Sequence, residues 1–196
     1  MKKLLAMVLA LVMTLSLAVS ANAAFKDDKS ISDDYAESVA VLNGMGVFKG
    51  YPDGTFKPSG KVTGYEVLAM ILRAVGYDKN NEFSGADWAL HVAQTAQQLG
   101  VLDNVAKTTD LNDPASRELV AELLFQGIQK AQVTYTPAFG YVTDKVIGAK
   151  NNSLGEKNFK LDSAKSSDKW GRPATKWTYN TCLLYTSPSP RDRQKS

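Results

Sequence analysis

The chain has 196 residues, 44% of them hydrophobic and 22% charged, with 14 Gly and 7 Pro. That composition excludes collagen-like, disulfide-dense and wholly disordered classes. The formal charge of +3 is carried by the two ends: Lys2 and Lys3 contribute +2, and Arg191, Asp192, Arg193 and Lys195 a net +2, so the rest totals −1. A segment this close to neutral lacks the concentrated basic face that nucleic-acid binding requires.

Residues 1–23 begin with Lys2 and Lys3, continue as an apolar run from Leu4 to Val19, and end in Ala21-Asn22-Ala23. This is the pattern of a secretory signal peptide cut after Ala23. The alternative, a retained anchor, needs about 20 apolar residues, and the small-x-small site favours cleavage. The expected mature chain is secreted and has no membrane association after cleavage. At the other end, Cys182 is a lone cysteine in an exported chain, where a thiol lacks a disulfide partner. The string from Cys182 to Asp192, CLLYTSPSPRD, resembles one reading frame of the adapter used in transposase-based sequencing libraries. Residues 182–196 are therefore read as non-biological, and the natural protein is expected to be longer.

Between these ends lies an internal repeat, the feature to establish before any motif. VAVLNGMGVF, with Gly46, matches VAQTAQQLGVL, with Gly100, at an offset of 54, and VTGYEVLAMILRAV from Val62 matches ASRELVAELLFQGI from Ala115 at an offset of 53. Each unit is a helix, a loop and a second helix. The first helix is predicted from Asp34 to Met45, with Tyr35, Val39, Leu42 and Met45 on one stripe, Ser32 or Asp33 as its cap and Gly46 as its stop. Thr63-Gly64-Tyr65-Glu66 is a capping box opening a helix that buries Val67, Met70, Ile71 and Ala74 and stops at Gly76. In the second unit Trp88, Val92, Ala96 and Leu99 form the first stripe. Asp113-Pro114 precedes the last helix, Ser116 takes the position of Thr63, and Leu119, Leu123, Leu124 and Ile128 are the expected buried face. Asp53-Gly54, flanked by Tyr51 and Phe56, predicts a small hairpin.

Phe25-Lys26-Asp27, the run GVFKGYPDGTFKP from Gly46 to Pro58 and the capped helix from Thr63 together resemble the S-layer homology module of bacterial cell-surface proteins. Trp88-Ala89, Leu99-Gly100-Val101 and Ser116-Arg117-Glu118 carry a weaker second match. The resemblance implies a mainly α fold of two tandem helix-loop-helix modules at 25–76 and 82–131; residues 132–181, beyond it, read as a short β and loop segment that begins a further region. It also implies non-covalent attachment, at the cell wall or S-layer, to a secondary cell-wall polysaccharide bearing pyruvylated sugars, with other such modules as further partners. In the family motif threonine-arginine-alanine-glutamate the arginine faces the ligand, and a guanidinium suits a pyruvyl carboxylate because it can donate two parallel hydrogen bonds. Arg117 holds that position in the second unit, whereas Gly64 stands there in the first. Gly46, Gly50 and Gly100, whose backbone can approach sugar oxygens, and Tyr51, Asp53 and Trp88 complete the candidate ligand-binding set.

Each of these residues also has a plainer reading. Arg117 can pair with a carboxylate on its own helix surface, Trp88 can pack in the core, and Asp53-Gly54 can simply form a turn. Asp27, Asp28, Asp33 and Asp34 lack calcium-loop spacing, so no metal is expected, and helix capping explains them. GMGVFKG, Gly44 to Gly50, has the wrong last interval and follows a helix, so it is no dinucleotide fingerprint. His91 reads as a surface residue. Without G-x-S-x-G, H-E-x-x-H or a native cysteine, the sequence supplies no nucleophilic or zinc chemistry. The reading is a binding segment with no cofactor, not an enzyme. The alternative is the N-terminal part of an extracellular polysaccharide-acting enzyme whose catalytic domain is missing; two-carboxylate glycosidases have no fixed motif spacing.

Beyond Gln132 the helical period stops. VTYTPAFGYVTDKVIG predicts short strands around Pro137 and Gly140, residues 149–169 read as loop, and Trp170 to Tyr179 restores aromatic residues. Genomic DNA read across codon 181 without adapters is expected to continue with a sequence other than CLLYTSPSPRD; recovery of that string would overturn the adapter reading.

Overall fold

In a computed structural model of the chain, residues 25–143, 153–168 and 171–188 are described. The signal peptide expected at residues 1–23, Trp170 and residues 189–196 lie outside them. The chain divides into two units between Gly60 and Lys61, and each is taken by itself.

In the first unit a 3₁₀ turn, Asp28–Ser30, precedes helix α1, Asp33–Gly44. Asp33 and Asp34 lie in its first turn, where carboxylates complement the positive end of the helix dipole. Ser32 occupies the cap position but makes no side-chain cap bond. Gly46, at φ +76°, turns the chain out of the helix as expected. The predicted stripe is only partly realised: Val39 is buried and Leu42 half-buried, but Tyr35 and Met45 are 65% and 64% exposed. So small a unit has little apolar surface with which to cover a full stripe.

The second unit is built around helix α2, Gly64–Val75. The capping box is present: the Glu66 amide donates to Thr63 Oγ1 at 3.3 Å and the Thr63 amide to Glu66 Oε2 at 2.8 Å. Gly76, at φ +119°, ends the helix. Val67 and Ile71 are buried as expected, and so are Leu68, Ala69, Leu72 and Val75, with Leu68 and Leu72 fully sealed. A helix apolar over most of its circumference needs partners on more than one side. These are α3, Trp88–Gln98, and α4, Arg117–Ile128, both packed on α2. Val92 and Ala96 of α3 and Leu123 of α4 are fully buried, and Phe83, Val101 and Leu111 add loop residues to the same core. Leu124, expected to be buried, is 47% exposed, because α4 turns Leu123 and the small Gly127 inward instead. A Cβ at Gly127 would collide with Ile71, so this glycine permits the close α2–α4 approach.

An ion pair lies beside this core. Arg73 Nε donates to Asp78 Oδ2 at 2.7 Å, with the Asp78 side chain fully buried, and the Phe83 amide donates to the other carboxylate oxygen at 2.8 Å. The pair ties the end of α2 to the connection that follows.

After α4 come an antiparallel hairpin, β1 (Val133–Thr136) and β2 (Gly140–Thr143), with Tyr135 opposite Tyr141, a short helix α5, Leu154–Phe159, and an antiparallel sheet in the order β3 (Leu161–Ser167), β4 (Pro173–Tyr179), β5 (Cys182–Pro188). The strands expected after Gln132 are there. The loop expected over 149–169 is corrected within its described part, 153–168: Ser153 and Glu156 form a second capping box that starts α5, and β3 pairs along its length with β4. A polar run can form a strand when its backbone is taken up by a neighbour. Cys182–Pro188 also pairs with β4, across a turn at Asn180 and Thr181 whose φ values are both positive. Tyr and Thr favour extended backbone whatever DNA encodes them.

Replacing Asp78 by Ala leaves the Arg73 guanidinium without its buried partner. The expected loss is about 3 kcal/mol of unfolding free energy, read as a lower urea midpoint for the full chain.

Candidate functional site

The loop from Gly46 to Pro58 is held by the three residues that precede the 3₁₀ turn. The Asp27 carboxylate accepts two backbone hydrogen bonds, from Phe56 to Oδ1 and from Lys57 to Oδ2, both at 2.8 Å. The Lys26 amide donates to the Gly54 carbonyl at 2.9 Å, and its ammonium to the Asp53 carbonyl at 2.6 Å. Phe25 stacks on Phe56, with centroids 5.1 Å apart, and Phe48 tilts against Phe56 at 5.8 Å. Phe25-Lys26-Asp27 is thus a brace for the loop. The backbone bonds from Phe56 and then Lys57 hold the Asp27 carboxyl below the usual carboxylate range.

Inside the loop, the Gly54 amide donates to the Tyr51 carbonyl at 2.9 Å and the Tyr51 amide to the Thr55 carbonyl at 2.8 Å. Gly54 sits at φ +83°. The expected hairpin is therefore a tight turn closed by these two bonds, with a left-handed glycine at its third position. Asp53 Oδ1 accepts from the Thr55 hydroxyl at 2.6 Å and its amide at 2.9 Å, and the hydroxyl, then the amide, hold its carboxyl low. The carboxylate of Asp53 is engaged within its own turn. Lys57 carries its ammonium 4.1 Å from the Tyr51 ring centroid and 3.9 Å from Asp53 Oδ2, so a cation lies over one aromatic face. Gly50, at φ +62°, has no room for a Cβ, which would meet Phe25 Cε1 at 2.6 Å and the Thr55 carbonyl at 2.8 Å. Of the first-unit candidates, Gly50, Tyr51 and Asp53 share this one turn, and Gly46 stands at the end of α1.

In the second unit the candidates are spread along α3 and α4. Trp88, at the start of α3, meets Tyr65 edge-on with centroids 6.4 Å apart and packs against the core. Gly100, just past the end of α3, lies about 18 Å away at 1.5 Å per residue; its carbonyl accepts from Lys130 Nζ at 3.3 Å. Arg117 is the first residue of α4, which Ser116 caps by accepting from the Leu119 amide at 3.1 Å. Its side chain is exposed and makes no ion pair among the described residues, so the plain reading of a surface pair has no partner there. The first turn of a helix presents orphan amides and a positive dipole end, which favour an anion. Gly64, where the family motif has its arginine, is buried: the Tyr65 amide donates to the Leu111 carbonyl at 3.1 Å, and a Cβ at Gly64 would meet Leu111 Cδ2 at 2.8 Å and its Cα at 3.1 Å. The close approach of that loop excludes any side chain.

Sequence reasoning missed the Asp27 brace, the Arg73–Asp78 pair and a tyrosine cluster around Glu82. The signal for the first was available: an acidic residue following an aromatic one, ahead of a glycine-rich loop whose amides no helix or strand employs. His91 is exposed, and its Nδ1 lies 2.8 Å from the Glu82 carbonyl; since a carbonyl only accepts, Nδ1 carries the proton. Among the described residues no group of three or more His, Cys, Asp or Glu is placed to hold a metal ion.

Residues 24–68 match the S-layer homology domain. The chain is 28% identical over 140 residues to a surface layer protein of Brevibacillus choshinensis, covering 71% of this chain and 12% of that protein. It is 32% identical over 100 residues to a middle cell wall protein of Brevibacillus brevis, covering 51% and 9%, and 32% identical over 107 residues to an amylopullulanase of Thermoanaerobacterium thermosulfurigenes, covering 49% and 6%. The chain thus spans about a tenth of the length of these relatives. No solved structure is significantly similar to it.

Asp27 and Asp53 both have lowered carboxyl pKa values, so their hold on the loop is complete above the ordinary aspartate value of 3.8 and is lost as pH falls through their lower folded values. The Phe56 and Lys57 amide resonances are expected to shift only in that acid range. In Asp27→Asn, which lacks the second carboxylate oxygen, those amides are expected to exchange faster with solvent at neutral pH and to lose that acid-range response.

Proposed function

Proceeding from a chain that carries an S-layer homology domain at residues 24–68, we propose that this segment anchors an exported protein non-covalently to the bacterial cell wall by binding a secondary cell-wall polysaccharide. The observation that carries this reading is the match itself, which includes the Phe25-Lys26-Asp27 brace and the turn it supports. The relatives named for the surface layer and the cell wall support the location. For the finer assignment, two tandem modules at 25–76 and 82–131 share the work unequally. The first supplies a rigid turn with Tyr51 and Lys57 on its surface, and its arginine position is closed by Leu111. The second supplies Arg117, whose guanidinium stands at a helix N-terminus and has the two-pronged geometry for a carboxylate such as that of a pyruvylated sugar. Its role is binding; the catalytic alternative concerns the rest of a longer protein, and the amylopullulanase relative favours a polysaccharide-acting enzyme as one such cargo. A longer genomic reading frame separates the two.

The full chain is expected to sediment with purified cell-wall sacculi and to stay in solution with sacculi stripped of secondary polysaccharide; equal retention on both would overturn the polysaccharide reading. Arg117→Ala is expected to weaken retention by about 1.5 to 3 kcal/mol, with partial recovery in Arg117→Lys, which keeps the charge and loses the fork. Unchanged affinity in a folded Arg117→Ala protein would place the site elsewhere. Gly64→Arg, which on sequence grounds would restore a missing cation, is expected instead to destabilise α2, since Leu111 occupies the space.

A further inference from the structure

Residues 132–143 lie beyond the second repeat and outside the 24–68 family match, yet the hairpin they form is fastened to the connection between α2 and α3 in three ways. The first is a close approach: Gly76, the left-handed end of α2, has no room for a Cβ because the Val133 carbonyl of β1 fills that space. The second is aromatic: the Tyr141 ring of β2 lies 4.9 Å from Tyr77 and 5.2 Å from Tyr135. The third is polar: the Tyr141 hydroxyl accepts from the Lys79 amide at 2.8 Å and donates to Glu82 Oε1 at 2.6 Å.

The connection needs such support. Asp78 and Asn81 both sit at positive φ, 67° and 58°, a conformation that costs a non-glycine residue about 1 kcal/mol or more unless its surroundings enforce it. Arg73 holds Asp78 from the helix side. From the other side, Glu82 accepts from the Asn80 amide at 3.1 Å and its side chain at 3.3 Å, and its carbonyl meets His91 of α3 at 2.8 Å. A continuous set of bonds therefore runs from β2 through Glu82 to α3. In the other direction, an isolated two-stranded hairpin is marginal in water, so β1–β2 depends on this docking to persist.

We propose that the β1–β2 hairpin is a strap that locks the inter-repeat connection over residues 76–85 and so fixes α3 against α2, with the Tyr141–Glu82 hydrogen bond as its fastening. The helical unit then ends functionally at Thr143, twelve residues past the last repeat, and the chain that leaves β2 is joined directly to the fastening. Burial, then the bond to Glu82, pushes the Tyr141 hydroxyl up to about 12. At Glu82, burial is outweighed by hydrogen bonds, chiefly from Tyr141, and its carboxyl lies below the usual range. Both directions match a neutral phenol donating to a carboxylate.

The test is amide hydrogen exchange on the full chain, which needs no cell wall and is independent of the anchoring proposal. In Tyr141→Phe the Lys79 amide is expected to exchange about tenfold faster or more, together with the β1–β2 amides, while Leu123 inside α4 keeps its original rate. Glu82→Ala, which removes the acceptor of that hydroxyl, is expected to shift the same amides in the same direction, and the double variant to fall short of the sum of the two single effects, because the Tyr141–Glu82 bond is lost in either one. An unchanged Lys79 rate, equal acceleration at Leu123, or additive effects in the double variant would each overturn the strap.

Discussion

Leu68 and Leu72 are sealed from solvent on a helix whose other buried residues, Val67, Ala69, Ile71 and Val75, extend around most of its circumference. Such a helix cannot stand at a surface, and the arrangement of the second unit follows from covering it. Helices α3 and α4 flank it, Gly127 gives α4 its close approach to Ile71, Leu111 closes over Gly64, and Val133 closes over Gly76. The last two contacts involve segments outside the helices, which is why loops and the hairpin belong to the same folded unit. They also decide chemistry, since the seal over Gly64 leaves no space for a cation in the first repeat and leaves Arg117 alone in the corresponding place.

The first unit is organised by polar bonds more than by apolar burial. It has one buried hydrophobic residue, Val39, among its described residues, and its loop is set by Asp27, Asp53 and Lys26. Carboxylates that accept several backbone amides specify geometry sharply, because each amide must lie near a lone-pair direction. The result is a rigid turn with Tyr51 half-exposed under Lys57. For a segment proposed to bind a glycan this is a useful division: the polar groups that shape the turn are engaged with its own backbone, and the Tyr51 ring stays half-exposed.

The two repeats are alike in pattern and unlike in use. Thr63 and Ser116 both cap their helices, and Gly46 and Gly100 both follow the first helix of their repeat with positive φ. Yet Ile71 is buried where its counterpart Leu124 is exposed, because α2 is covered by both α3 and α4, whereas α4 turns Leu123 and Gly127 toward α2 and leaves Leu124 outside. Repeat equivalence therefore holds for the Thr63 and Ser116 caps and the Gly46 and Gly100 stops, which are local, and fails for the second stop, Gly76 against Gln129, and for faces, which depend on neighbours.

What was legible in the sequence was local for the same reason. Thr63 with Glu66, Ser116, Gly46, Gly76 and the Asp53-Gly54 turn act within four residues of themselves, so pattern alone located the helices and the turn, and the strings around them carried the family resemblance. Tertiary structure decided the rest. The Asp27 brace spans 29 and 30 residues and the Tyr141 fastening 59 and 62, separations over which no periodicity speaks. The strand over Leu161–Ser167 is polar and exists because β4 takes up its backbone, and Tyr35 and Met45 stay exposed because burial needs a partner that helical spacing does not supply. The sequence by itself determined where helices start, stop and turn, through caps and glycines; only the folded chain decided which faces are covered and which arginine position stays open, because both depend on segments brought together from far along the chain.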